Sequence, residues 1–214
     1  MISERLAGKR MLVTGATGFL GQALVERLLF EVPRPRLALL IRPQPGTPGR
    51  SRLKELLSRP AFGRLREREG KEGMARLVED DIEVLEGDVS TGMPGLPSDL
   101  DVVFHCAATV SFDPPIDAGF RTNVLGTVGL IEAVHGAGAA PHLVHVSTAY
   151  VAGSTKGIVP EAPLTHTVTW RDEADAAEEA RRAVEEASRK PEVLDGFMAR
   201  ARREHSRAGP QTIA

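Results

Sequence analysis

Gly15, Gly18 and Gly21 recur at every third position within Thr14-Gly15-Ala16-Thr17-Gly18-Phe19-Leu20-Gly21. Residues without Cβ at this spacing let a chain turn tightly and bring its backbone close to a pyrophosphate. The apolar run Met11-Leu12-Val13 precedes the glycines, and residues 23–29 follow with helical character, so the turn joins a strand to a helix. A helix N-terminus adds unpaired N–H groups and partial positive charge toward the same anion. This setting predicts dinucleotide binding through Thr14, Gly15, Thr17, Gly18, Phe19, Leu20 and Gly21, the alternative being a plain structural turn.

The end of the second apolar run should select the cofactor. An NAD-preferring site usually places an acid there for the ribose hydroxyls, whereas an arginine suits a 2′-phosphate. Leu39-Leu40-Ile41 runs into Arg42, with Arg50 and Arg52 following. A guanidinium forks onto phosphate oxygens, so NADPH is the expected cofactor, with Arg42 and Arg52 as its contacts. The alternative is an ordinary loop arginine. Asp88 is placed to accept the adenine amino group, with Val89 against the ring, although an Asp at a strand end also serves as a cap. Ala107-Ala108-Thr109 end the fourth run, where small residues let the backbone approach a ligand at the carboxyl edge of a sheet. Cys106 lacks an evident activating base, which argues against a nucleophile. His142 and His145, three apart on a strand, point to opposite faces, so no metal site is expected.

These residues need a frame. Residues 10–13, 37–41, 101–106 and 143–146 read as strands, with 82–85 as a weaker fifth. The runs are continuously apolar, as in strands covered on both faces. Helical stretches at 21–30, 52–58, 65–77 and 116–135 alternate with them, which predicts an α/β, Rossmann-like, doubly wound parallel sheet. Residues 43–49 and 92–97 are Pro- and Gly-rich loops. The expected organisation is a cofactor-binding domain over 1–150 and a charged, mostly helical segment over 151–214. In that segment Ala177, Ala180, Val184 and Ala187 share one helical stripe. Pro191 opens a second helix that Gly209-Pro210 could close. A solvated helical pair is the simpler reading, against a surface for an acidic partner.

The 214 residues suffice for a substantial core, and 42% apolar with 26% charged residues is ordinary for a soluble globular chain. A net charge of −2 gives no argument for nucleic acid. Residues 1–10 lack the apolar core of a signal peptide, and no run is long enough to span a bilayer. One cysteine excludes an internal disulfide, and together these features favour the cytoplasm.

Five motifs in order carry a resemblance covering residues 9 to about 153: the glycine turn, Ile41-Arg42, Gly87-Asp88, Phe104-His105-Cys106-Ala107-Ala108-Thr109-Val110-Ser111-Phe112 with Asn123-Val124-Leu125-Gly126-Thr127, and Ser147-Thr148-Ala149-Tyr150-Val151. The chain resembles the extended short-chain dehydrogenases/reductases, and within them the fatty acyl-CoA reductases of the male-sterility type. The resemblance implies that Ser147 hydrogen-bonds the substrate carbonyl as negative charge builds on it. It implies that Asn123 holds a helix kink and a proton-relay water. It also implies a long-chain acyl-CoA or acyl-carrier substrate, and is compatible with a homo-oligomer.

The family's proton donor, a Tyr followed four residues later by Lys, is not in this chain. Tyr150 is the single tyrosine, and Ser154 stands four residues on. The expectation is an N-terminal portion whose reading frame continues past Ala214 and supplies the pair. Two alternatives remain: a non-catalytic NADP-binding module, and a sugar-nucleotide epimerase-like enzyme on the same scaffold.

Overall fold

The apolar runs become five parallel strands: β1 (Arg10–Thr14), β2 (Arg36–Ile41), β3 (Ile82–Glu86), β4 (Val102–His105) and β5 (His142–His145). They are ordered β3-β2-β1-β4-β5. The computed structural model describes residues 1–111, 115–153, 156–162 and 167–205. From β1 the chain moves outward to β2 and β3, then returns to the other side of β1 for β4 and β5. The winding direction therefore reverses between β1 and β4, which is where ligands bind in open α/β sheets. Thr14 stands opposite His105 in the β1–β4 register, and His105 opposite His145 in the β4–β5 register.

The period of two along each strand divides the core between the two faces of the sheet. Met11 and Val13 of β1, with Leu37, Leu39 and Ile41 of β2, pack on one side. They meet Val25, Leu28 and Leu29 of α2 (Phe19–Glu31), Leu53, Leu56 and Leu57 of α3 (Gly49–Ser58), and Leu65 of α4 (Gly63–Arg76). Leu12, Ala38, Leu40 and Val103 face the other way, toward Leu130 of a later helix. A short helix, α1 (Ile2–Arg5), precedes β1.

The expectation that every strand is covered on both faces holds for β1 and β2 but not throughout. β5 is largely exposed, and β3 is exposed at Glu83 and Glu86. Both are edge strands, and an apolar run does not reveal its place in the strand order. The helix expected over 116–135 is interrupted: α5 (Ile116–Gly119) is followed by a π-helical turn (Phe120–Leu125) and then α6 (Gly126–Gly136). Helix α2 starts at Phe19, two residues earlier than the sequence suggests.

The described chain divides into two compact units, Met1–Pro114 with Arg121–Leu164, and Pro115–Phe120 with Thr165–Ala214. The second contains α5, α7 (Trp170–Ser188) and α8 (Pro191–His205), where α7 packs on both α5 and α8. On α7 the stripe is buried only at its start: Ala174 and Ala177 are buried, whereas Ala180 is exposed and Val184 is 61% exposed, in line with a solvated helix. A four-residue α5 is too short to cover the rest of a helix of this length. Gly209-Pro210 lie outside the described residues.

Phe62 is fully buried in the larger core. Phe62→Ala should cost about 3–5 kcal/mol, whereas Val184→Ala should change stability by less than about 0.5 kcal/mol. Urea unfolding of both variants checks the two values.

Candidate functional site

The site begins where β1 ends. Gly15 has φ of +70°, and a Cβ there would lie 2.6 Å from the Ala107 nitrogen and the Cys106 carbonyl carbon. A Cβ on Gly21 would come within 2.0 Å of the Gly15 carbonyl oxygen. The turn can therefore fold back on helix α2 and against the end of β4 only without side chains at these positions. Gly18 is the N-cap of α2 and supplies no side-chain cap, so first-turn N–H groups remain available to an anion.

Gly15, Thr17 and Gly18 line a cavity of about 190 Å³ with Arg42, Asp88 and Val89 on one side and Ala107 and Ala108 on the other. Ligand pockets are commonly about 300–1,000 Å³, so a dinucleotide would lie across this groove rather than inside it. The glycine cradle and the uncapped helix fit a pyrophosphate. A larger cleft of about 1,010 Å³ opens beside Arg10, Arg36 and Glu83, at the amino ends of the strands. Of the arginines lining it, Arg10 and Arg36 pair with Asp99, and Arg50 with Glu79. It lies at the opposite end of the sheet from the glycine turn.

Arg42 follows β2, its side chain 74% exposed, 3.7 Å from an Asp88 carboxylate oxygen. The other oxygen of Asp88 accepts from the Ser90 N–H and hydroxyl, at 2.9 and 2.8 Å. Arg52 turns its guanidinium onto the Arg42 carbonyl and so braces the loop that carries Arg42. Val89 lines the cavity and packs against Gly126 at the start of α6. Phe19 and Leu20 are exposed on the first turn of α2. The Thr14 side chain is fully buried: its oxygen accepts from the Ala107 N–H at 3.2 Å and lies 2.6 Å from His105 Nδ1. Thr14 thus supports the turn from beneath.

Asn123 sits in the π-helical turn. Its Oδ1 accepts from the Thr109 N–H at 2.8 Å, and its Nδ2 donates to the Thr109 carbonyl at 3.1 Å. Such turns are rare and often mark functional sites. Ser147 is exposed just beyond β5, after Val146, whose N–H donates to the His105 carbonyl at 2.9 Å. Burial raises the Cys106 thiol pKa, which keeps it protonated and poorly nucleophilic.

Two contributors escaped sequence reading. Arg59 donates to the Thr17 carbonyl at 2.7 Å, bracing the glycine turn from the segment after α3. No local pattern marks it. His105 is buried between Thr14 and Thr127, its Nε2 3.1 Å from the Thr127 hydroxyl, with its ring stacked on His145. The sequence placed it correctly in a strand but carried no sign of these partners.

The family model for the male sterility protein, an NAD-binding family, matches residues 13–197. The chain belongs to the male sterility protein family. It is 33% identical over 170 residues to probable fatty acyl-CoA reductase 5 of Arabidopsis thaliana, covering 74% of this chain and 34% of that protein. It is 31% identical over 185 residues to fatty acyl-CoA reductase 1 of Gallus gallus, covering 81% and 36%. The chain thus spans about a third of the length of these relatives. Among solved structures it is similar to the terminal R domain of the myxalamid PKS-NRPS pathway, with 26% identity and a TM-score of 0.55, over 86% of this chain and 47% of that one. The Rossmann-like sheet and the NAD(P)-binding domain are those of this family. Among the described residues no helix is long and apolar enough to cross a membrane.

Burial, with a smaller contribution from His145, pushes the His105 pKa down from 6.5 to about 4. A histidine whose pKa is lower in the folded than in the unfolded state favours folding while neutral. Its contribution is complete above about pH 6.5, is lost as pH falls toward 4, and is flat below that. The displacement corresponds to ~3 kcal/mol. Urea unfolding between pH 7.5 and 4.5 should show this decline, and His105→Gln should flatten it.

Proposed function

We propose that this chain is the cofactor-binding portion of an NADPH-dependent fatty acyl-CoA reductase. Its substrate is a long-chain acyl thioester, carried on CoA or an acyl carrier, and its products are the released thiol and an aldehyde, or an alcohol after a second hydride transfer. The family membership supports the reaction class. The choice of cofactor rests on one observation: an exposed arginine, Arg42, ends β2 on the rim of the cavity that contains Gly15 and Gly18.

When bound, the nicotinamide supplies a hydride to the thioester carbonyl carbon. Residues 15–21 hold the pyrophosphate through backbone N–H groups, and Arg42, braced by Arg52, takes the 2′-phosphate. Asp88 and Val89 receive the adenine, while Ala107, Ala108 and Thr109 flank the other half of the cofactor. Ser147 donates to the carbonyl oxygen as charge builds there, an interaction that strengthens in the transition state. Asn123 keeps Thr109 in place. Cys106 and the histidines take no covalent or metal-binding part.

A second reading, a binding module without turnover, draws on Tyr150. That side chain is 85% exposed, and Ser154 rather than Lys lies four residues on. General acid assistance is worth about 10²–10⁴ in rate. The 214-residue chain on its own should therefore bind NADPH without oxidising it at an enzymatic rate when given palmitoyl-CoA. Following absorbance at 340 nm checks this, and steady turnover would mean that another group delivers the proton.

Charge-assisted contacts to a phosphate are worth about 1.5–3 kcal/mol, or about tenfold or more in affinity. NADPH should accordingly bind at least about tenfold more tightly than NADH, and Arg42→Glu should abolish or reverse the preference. Calorimetric titration with both nucleotides is the measurement. Equal affinities before and after the change would remove Arg42 from the site.

A further inference from the structure

His105 takes no part in the chemistry above, yet both its nitrogens are engaged. The hydrogen bonds around it have a single consistent direction. The Ala107 N–H can only donate, so the Thr14 oxygen accepts there, at 3.2 Å. The Thr127 hydroxyl gives its proton to the Asn123 carbonyl, at 2.8 Å. His105 Nε2 must therefore donate to the Thr127 oxygen, at 3.1 Å. In a neutral imidazole this leaves Nδ1 bare, and the Thr14 proton then points to it, 2.6 Å away. The Asn123 side chain closes the path by holding both backbone groups of Thr109. The network thus leaves the backbone at Ala107, crosses the sheet edge through the side chains of Thr14, His105, Thr127 and Asn123, and returns to the backbone at Thr109.

The strand order says which part of the ligand this backbone meets. With the pyrophosphate at the end of β1, Arg42 and Asp88 lie beyond β2 and β3 on one side, and residues 107–109 beyond β4 on the other. If the adenosine 2′-phosphate is at Arg42, the nicotinamide half must extend over β4.

We propose that His105 is a positioning residue: in its Nε2–H form it sets the place of the backbone of residues 107–109, and thereby of the nicotinamide half of the cofactor. The assignment rests on the NADPH reading above. Burial and the low pKa of His105 keep it in the neutral form that the network requires. The neighbouring titratable groups are the stacked His145 ring, with centroids 5.2 Å apart, and the Cys106 thiol, which burial keeps protonated.

The test compares the wild-type chain with Thr127→Val, which keeps shape and removes the hydroxyl, and with His105→Leu. Calorimetry measures NADPH against adenosine 2′,5′-bisphosphate, which has the phosphate-bearing adenosine but no nicotinamide. Hydrogen–deuterium exchange is followed at residues 106–110 without ligand. Each variant should bind NADPH about tenfold more weakly, bind the bisphosphate within about twofold of wild type, and exchange faster at Ala107 and Thr109. The double variant should be no worse than the weaker single one. Equal losses for both ligands, or unchanged NADPH binding in Thr127→Val, would overturn the proposal. Should His105→Leu fail to fold, Thr127→Val decides alone. Wild-type protein that binds neither ligand would refute the NADPH reading, whereas unchanged exchange in Thr127→Val would refute the network itself.

Discussion

The site depends on one close approach, that of β4 to the end of β1. At Gly15 the two backbones are so near that a Cβ would fall 2.6 Å from Ala107 N. No side chain could be accommodated, because both partners are main chain and neither can give way. This contact brings the glycine turn and the small residues Ala107 and Ala108 to the same crevice, and it is possible because β4 returns to pair with β1 in parallel. Had β4 continued beyond β3, the glycine turn would face no partner and the cavity would lose one wall.

Around that contact, buried polar groups are satisfied in ways that also order the site. Thr14 is fully buried, and its hydroxyl joins the end of β1 to Ala107 and His105. Leaving such a group unpaired would cost about 1–3 kcal/mol, so the same bonds that stabilise the strand ends also fix the loop. Asn123, exposed in the π-helical turn, also orders the loop, because its amide pairs with both backbone groups of Thr109. Arg59 and Arg52 extend this outward, each giving a guanidinium to a loop carbonyl.

Much of the fold was legible because parallel strands leave continuous apolar runs and the glycine turn leaves a spacing. Met11-Leu12-Val13 and residues 37–41 were read correctly as strands buried on both faces. The pattern failed for residues 143–146, since β5 is an edge strand and hydropathy does not encode edge position. It failed again over 116–135, because the residues of the π-helical turn are compatible with an ordinary helix and only their tertiary partners reveal the interruption. The stripe on α7 shows a third limit. Periodicity shows which residues share a face, but not how far a short partner such as α5 can cover it.

By itself the sequence determined the local chemistry: where backbone can approach a phosphate, where an arginine ends a strand, and which family the motifs belong to. These properties depend on residue type and short spacing, which a linear chain displays directly. Tertiary structure alone decided which of these residues meet. That Thr14 pairs with His105, that Arg59 reaches Thr17 and that Asn123 holds Thr109 depend on strand order and helix placement. Thr14 and His105 are 91 positions apart, and Arg59 and Thr17 are 42. Contacts over such separations are set by the packing of the whole sheet, and no local pattern can carry them.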